Sequence, residues 1–272
     1  MRDLADLFDK LRVQCFIRSK TLIQAIGANP KRSLPVMVIF LAGVHRSGTN
    51  MMMRVLERSI DTEVFHESDP RAFDNYMMRG EAELRELIRR SRSRRIVFKS
   101  LHEAHKLREL MESFSPSKSI WIYRHFDDVV NSIQARWPGL RNRMDEIITH
   151  GESGGWRGLG MTPQTRHRLA TCYHQRMNDA SITALFWYQR NQLLLEQRLE
   201  RDKDCLLIDY ARLTRTPVHS VNRICKFLDI TYSDYMSKLV HARSIGTRRP
   251  PPIEPEVRQL CHDLYERLAA AS

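Results

Sequence analysis

Short apolar runs alternate along the chain with longer stretches in which apolar residues recur at helical spacing. The apolar runs occupy residues 36–41, 96–98, 119–123 and 205–208. Runs of this kind, without polar alternation, are typical of parallel strands that are covered on both faces. Helical spacing is found in residues 51–58, 81–90, 104–112, 127–136, 180–198 (a long amphipathic stretch) and 218–228. Strand alternating with helix predicts an α/β fold in which helices flank a central parallel sheet.

Composition narrows the class of protein without identifying it. The chain has 272 residues, 42% of them hydrophobic and 28% charged, as in a folded globular protein. A formal net charge of +12 favours anionic partners. The longest apolar run, residues 34–44, is shorter than the ~20 residues of a membrane span, and no apolar leader opens the chain. Five scattered cysteines without a CxxC pair suggest reduced thiols, so we expect a soluble, cytoplasmic protein without a bound metal.

A glycine-bearing loop follows the first predicted strand and leads into a helix. Gly43 and Gly48 have the spacing of a Walker A loop, and such a turn directs backbone N–H groups and a helix N-terminus at an anion. Thr49 and Asn50 replace the lysine and the magnesium-binding hydroxyl of nucleoside triphosphatases, while Arg46 supplies a cation. The loop therefore favours a phosphorylated ligand that needs no metal, and a small-molecule kinase is the less favoured alternative.

A second candidate anchor follows the third predicted strand. Arg124 stands at the carboxyl end of that strand, and Ser132 lies two turns into the next helix. A guanidinium and a hydroxyl so placed can hold one phosphate from two sides. The alternative is a surface arginine that pairs with Asp127 or Asp128.

Together the two segments resemble the nucleotide-binding signature of the P-loop sulfotransferases. Arg46 in place of the lysine of cytosolic members is seen in the bacterial and carbohydrate-type branch. The resemblance implies a three-layer P-loop-type fold and 3′-phosphoadenosine 5′-phosphosulfate (PAPS) as co-substrate. It continues in residues 205–230, where Tyr210 falls in a YEDL-like segment, and in a basic loop at residues 246–249. The donor-binding residues implied are Arg46, Ser47, Gly48, Thr49, Asn50, Arg124, Ser132, Tyr210, Thr247, Arg248 and Arg249.

The same resemblance implies the catalytic groups. Arg46 and Lys99 are the candidate cations around the transferred sulfuryl group, and Glu67 or His102 is the candidate base. Glu67 falls where bacterial and carbohydrate-type members place a glutamate, and His102 falls one position after the histidine of cytosolic members. We favour Glu67, because the arginine-type loop accompanies glutamate-using members.

The sequence also leads to expectations about domain organisation and about a further possible function. We expect one sulfotransferase-like domain over residues 1–272, with an N-terminal amphipathic helix in residues 1–33 and a helical acceptor-side insertion in residues 137–200. Trp137, Trp156 and Tyr173 are candidates to line the acceptor site. A basic nucleic-acid-binding protein is a third hypothesis, but the arginine run of residues 85–95 lacks interleaved aromatic residues. No motif identifies the acceptor.

Overall fold

The central element of the computed structural model is a parallel sheet of five strands in the order β2–β5–β1–β6–β7. The structure describes residues 16, 19–20, 35–136, 140–151, 155–241, 246 and 249–272. The short strands β3 and β4 form a separate antiparallel ladder. The strands are β1 (Met37–Gly43), β2 (Thr62–Phe65), β3 (Phe73–Asp74), β4 (Met77–Met78), β5 (Arg95–Lys99), β6 (Ser117–Tyr123) and β7 (Cys205–Asp209).

Helices cover both faces of the sheet. Their bounds are α1 (Thr49–Glu57), α2 (Glu81–Arg90), α3 (Leu107–Ser113), α4 (Phe126–Gln134), α5 (Leu140–His150), α6 (Pro163–Cys172), α7 (Asp179–Glu196), α8 (Tyr210–Arg215), α9 (Pro217–Leu228), α10 (Asp234–Ser237) and α11 (Pro255–Ala270), with 3-10 turns at His102–Lys106 and Leu199–Arg201. Ile39 and Leu41 of β1 pack with α1 and α9, whereas Phe40 packs on the other face with α7. The expected α/β fold is therefore confirmed.

The predicted strands and helices are found with small shifts, and several elements were missed, among them the C-terminal helix α11 (Pro255–Ala270). The helix expected over residues 104–112 divides into a 3-10 turn and α3. The edge strand β2 was not predicted, because it has only four residues and carries Glu63 at its centre. The β3–β4 ladder was missed because each strand is two residues long.

The helix α7 corrects one expectation. Its sequence was interpreted as amphipathic, but every residue from Ala180 to Leu194 is buried. The helix packs against α4, α5 and α11, so it is a central element that neighbours surround. Some of its polar side chains are hydrogen-bonded inside the core, as where Trp121 Nε1 donates to Asn191 Oδ1 over 3.2 Å.

The N-terminal helix expected in residues 1–33 lies outside the described residues except for Phe16, Ser19 and Lys20. Lys20 Nζ donates to Thr62 Oγ1 over 3.2 Å, and the Phe16 ring lies 5.6 Å from that of Tyr235. The proposed insertion at residues 137–200 contains α5, α6 and α7. None of the helices within the described residues has the length and apolar composition that a membrane span requires.

Candidate active site

The loop between β1 and α1 has a backbone that requires its glycines. The φ angles are 139° at Gly43, 70° at Arg46 and 101° at Gly48, all in the region that favours glycine. A Cβ on Gly43 would lie 2.3 Å from the carbonyl oxygen of Ile122, and one on Gly48 would lie 2.3 Å from the ring of Tyr210. The glycine spacing seen in the sequence therefore reflects both dihedral angles and close packing.

This loop delivers polar groups to the N-terminus of α1. The first N–H groups of a helix lack intrahelical partners and carry the positive end of the helix dipole. Ser47 and Thr49 are buried there, and Ser47 Oγ has no hydrogen-bond partner within the described residues. A buried hydroxyl without a partner is costly, so it suits a ligand oxygen. The loop residues therefore fit the phosphate or sulfuryl oxygens of a donor.

The two segments that carry the sequence resemblance meet in space. Arg46 Nε donates to Ser132 Oγ over 2.9 Å, although the two residues are 86 positions apart. The pKa of Arg46 is lowered, mainly by burial and then by the charges of Arg136 and Arg124. Three guanidinium groups and a hydroxyl thus surround one region, which favours a polyanionic ligand.

Arg124 is 5% exposed and is held from several sides. Its guanidinium pairs with Asp128 over 3.1 Å, which is the contact that the alternative interpretation expected, and it lies 4.6 Å from the ring centroid of Tyr210. Its carbonyl oxygen accepts a 3.0 Å hydrogen bond from Trp187 Nε1 of α7. The side chain is therefore fixed beside the loop before any ligand binds.

Two described residues of the basic C-terminal loop lie against α4. Gly246 N donates to Asp128 Oδ1 over 3.1 Å, and Asn131 Nδ2 donates to the carbonyl oxygen of Arg249 over 3.1 Å. Thr247 and Arg248, which the resemblance assigns to the donor, lie outside the described residues. The loop is thus attached to the helix that carries Ser132.

Glu67 and Lys99 form an ion pair at the carboxyl edge of the sheet. They meet there because β2 and β5 run in parallel with Phe65 opposite Phe98, so Lys99 at the end of β5 and Glu67 just after β2 emerge side by side. Lys99 Nζ also donates to Asn50 Oδ1 over 2.6 Å. The Lys99 pKa is lowered by burial, against the opposing effect of Glu67. Lys99 therefore links the start of α1 to the candidate base.

His102 lies in a different environment. Its ring stacks on Trp156 with centroids 3.9 Å apart, and His45 lies 5.6 Å away. Burial, followed by the charges of Arg190, Arg157 and Lys99, lowers the His102 pKa to about 4. The neutral imidazole is therefore favoured, and its protonated form is opposed by neighbouring cations.

A cavity of ≈ 560 Å³ joins these groups. Glu67, Lys99 and His102 line it, and it extends to Trp156, one of the residues named from the sequence as candidates for the acceptor site. Of the other two acceptor candidates, Trp137 lies outside the described residues, and Tyr173 instead donates a hydrogen bond to Asp145. Four further lining residues were not found from the sequence, since no motif marks them: Tyr76, Arg136, Arg143 and Arg157.

Within the described residues, no group of three or more histidine, cysteine, aspartate or glutamate side chains could hold a metal ion. In the five-stranded sheet, β7 ends on an aspartate, Asp209. Asp209 Oδ1 accepts a 2.9 Å hydrogen bond from the backbone N–H of Ala211. The strand β7 is an edge strand of the sheet and pairs with β6. This carboxylate therefore caps α8.

Solved structures of sulfotransferases align with most of this chain. A sulfotransferase domain from the curacin biosynthetic pathway aligns at 15% identity and a TM-score of 0.51, over 85% of this chain and 98% of that one. The domain of the olefin synthase from Synechococcus PCC 7002 aligns at 14% identity (TM-score 0.48; 87% and 97% covered). A mouse sulfotransferase complexed with PAP aligns at 18% identity (TM-score 0.46; 88% of each chain).

The family of this chain is shown by its match to a sequence model of a protein family, because the structural alignments show only a similar fold. No curated protein matches the chain in a sequence search. The model of the sulfotransferase domain matches residues 38–249, which include the loop after β1, the Arg124–Ser132 segment and the cavity between them. The chain therefore belongs to the sulfotransferase domain family and is a sulfotransferase enzyme.

Proposed function

We propose that the protein transfers a sulfuryl group from PAPS to a hydroxyl or amine of an acceptor that enters the ≈ 560 Å³ cavity. The observation that carries the proposal is the 2.9 Å hydrogen bond from Arg46 to Ser132, which unites two anion-binding segments at one place. A donor with two separate phosphate positions requires such a pair of anchors. The expected cytoplasmic location belongs to the same proposal.

The donor is assigned to the β1–α1 loop and the start of α4. The N-terminus of α1, Ser47 and Arg46 would hold the 5′-phosphosulfate, and Arg124 with Ser132 would hold the 3′-phosphate. The ring of Tyr210 lies against both Gly48 and Arg124, so it fixes the separation of the two anchors. Arg249, attached to Asn131, would add charge at the 3′ side.

The transfer step forms a bond from the acceptor oxygen or nitrogen to sulfur and breaks the bond from sulfur to the 5′-phosphate oxygen. Adenosine 3′,5′-bisphosphate (PAP) leaves, and the acceptor proton passes to a base. Arg46 and Lys99 stabilise the negative charge of the transferred group and of the departing phosphate. In-line geometry is set by holding both reactants at the carboxyl edge of the sheet.

Glu67 is the base in this proposal. Its side chain is 23% exposed, lines the cavity and is positioned by Lys99. His102 is the less suitable acceptor of a proton, because Arg190, Arg157 and Lys99 oppose its charged form. Its stacking on Trp156 makes it part of the cavity wall.

Binding of PAP, measured by thermal shift and calorimetry beside ATP with magnesium, tests the proposal without an acceptor. A ligand of the folded state raises the unfolding midpoint by mass action. We expect PAP to raise the unfolding midpoint of wild type, to raise it less in Ser132→Ala and not to raise it in Arg124→Ala. The control Arg267→Gln, on the exposed side of α11, should show the same rise as wild type. No response to PAP, with a rise for ATP and magnesium, would overturn the proposal in favour of the kinase.

A further inference from the structure

The cavity wall formed by α5 and the segment after it carries arginines without carboxylate partners. Arg143 and Arg157 line the cavity, and within the described residues neither forms an ion pair. Other arginines do have such partners. Arg108 pairs with Asp202 and Arg258 pairs with Asp127, over 3.1 Å and 3.0 Å. Within the described residues, Arg46 and Arg136 of the same cavity also form no ion pair, so the two arginines of the wall are distinguished by their position.

The environment of Arg157 makes this lack of compensation costly. Its guanidinium is half-buried and lies 4.3 Å from the ring centroid of Trp156. Burial, and then the like charge of Arg143, lowers the Arg157 pKa to about 10. A partly desolvated cation beside a second cation is destabilising unless an anion neutralises it.

Among the described residues, the carboxylates near this wall leave it positively charged. Glu67 lines the cavity but is paired with Lys99. Glu146, which is exposed on α5, raises the Arg157 pKa, whereas burial lowers it. In the part of the chain that is described, Glu146 forms no ion pair with Arg157. The field at this end of the cavity thus favours an anion.

This wall is separate from the donor anchors. The arginines whose charges lower the pKa of Arg46 are Arg124 and Arg136. The charge of Arg157 instead lowers the pKa values of His102 and His45. Arg157 therefore lies at the end of the cavity formed by Trp156 and the two histidines. A ligand group bound there would belong to the acceptor.

We propose that the acceptor is itself an anion, a small molecule whose carboxylate, sulfate or phosphate group is bound by Arg157 and Arg143. A guanidinium binds such groups through two parallel N–H···O hydrogen bonds, which orients the acceptor as well as attracting it. The acceptor hydroxyl or amine then faces Glu67. This inference rests on the proposed function, because it assigns the second substrate of the same site.

Calorimetry on the PAP-saturated protein tests the inference with two matched pairs of probes. One pair is 4-nitrophenyl β-D-glucuronide and the corresponding glucoside, and the other is 4-hydroxyphenylacetate and 4-hydroxyphenylacetamide. Each pair differs in one acidic group. We expect the anionic member of at least one pair to bind about tenfold more tightly than its neutral partner, with the advantage reduced by added salt. Equal binding within both pairs, or binding by none of the four probes, overturns the inference.

Variants identify the residues responsible. In Arg157→Gln the anionic advantage should fall to about twofold or less, and Arg143→Gln should reduce it partially. PAP affinity should stay within about twofold of wild type in both. Arg267→Gln, which removes the same charge from exposed α11, should retain the full advantage.

Two results separate failure of this inference from failure of the proposed function. An undiminished advantage in Arg157→Gln, or a loss of PAP affinity in that variant, overturns the acceptor role of Arg157 alone. A wild-type protein that does not bind PAP overturns the proposed function and the inference with it.

Discussion

The proposed donor side and the proposed acceptor side of the cavity are built in different ways. On the donor side, the β1–α1 loop presents backbone N–H groups, and the glycines that shape it stand five positions apart in the chain. On the acceptor side, the wall consists of side chains from separate elements, such as Tyr76 after β3, His102 after β5 and Arg157 after α5. One side depends on local backbone geometry and the other on tertiary packing.

The difference shows where sequence determines function in this chain. A backbone cradle tolerates few residue types, so it leaves a motif that is visible in a single sequence. A wall of side chains can be assembled from many combinations of residues, so it leaves no motif in the sequence. The donor can therefore be proposed from sequence, whereas the acceptor class requires the structure.

Replacement of Glu67 by Gln should have the largest effect, because the carboxylate lies where the two sides meet. Loss of a general base reduces turnover by about 10²–10⁴-fold. Release of PAP from PAPS, measured with the best-binding probe as acceptor, checks this, and PAP affinity should be unchanged. Glu63→Gln, on β2 but not in the cavity lining, is the matched control. Near-normal turnover in Glu67→Gln would eliminate Glu67 as the base.

Two glycine variants compare the sides directly. Both Gly48 and Gly155 have positive φ, but a Cβ on Gly48 would lie 2.3 Å from the Tyr210 ring, whereas one on Gly155 meets no atom of the described residues within 4 Å. Gly155→Ala should lower the free energy of unfolding by about 1–2 kcal/mol through backbone strain alone. Gly48→Ala should cost more and also weaken PAP binding by about tenfold or more. Denaturant unfolding and calorimetry measure both, and equal effects would remove the claimed distinction.

Adjacent residues of α7 test the acceptor wall. Arg190 is 1% exposed and donates to the carbonyl oxygen of Leu101 over 2.7 Å and to that of Trp156 over 3.4 Å. Arg190→Met should lower the free energy of unfolding by about 2–4 kcal/mol, because buried carbonyl groups lose their donor. Gln189→Met is the control, since the buried Gln189 amide has no hydrogen-bond partner within the described residues, so its removal should be neutral or stabilising.

The same pair of variants should differ in ligand binding. Arg190→Met should weaken binding of the acceptor probe that binds most tightly to wild type, while PAP affinity stays within about twofold of wild type. A variant that lost both ligands equally would show that the two sides do not act independently.

The pH dependence of stability should show the smallest effect. The His102 pKa falls from 6.5 to about 4 on folding, so between these values the unfolded chain binds more protons and stability is lost as the pH decreases. His102→Gln should lose less stability than wild type over this window, whereas His219→Gln, at an exposed position, should follow wild type. Denaturant unfolding at several pH values measures the difference. Parallel curves for wild type and His102→Gln would mean that the imidazole remains free to titrate.

Much of the fold could be predicted because buried parallel strands leave continuous apolar runs. The missed strand β2 has consequences for the site, since its pairing with β5 is what brings Glu67 to Lys99. Sequence alone could name both residues but not their contact. The complete burial of α7 was also missed, because the stretch was interpreted as amphipathic, whereas the fold covers every side of the helix with other elements.

The residues of α7 also have a consequence for redesign of the enzyme. Trp187 holds the carbonyl oxygen of Arg124 at the donor anchor, and Arg190, three positions later, holds those of Leu101 and Trp156 at the acceptor wall. Three residues of helix span about 4.5 Å, so in the proposed function this one helix sets the spacing of the two substrate positions. A new acceptor preference is therefore best introduced at Tyr76, Arg143 or Arg157, where side chains can change without altering that spacing.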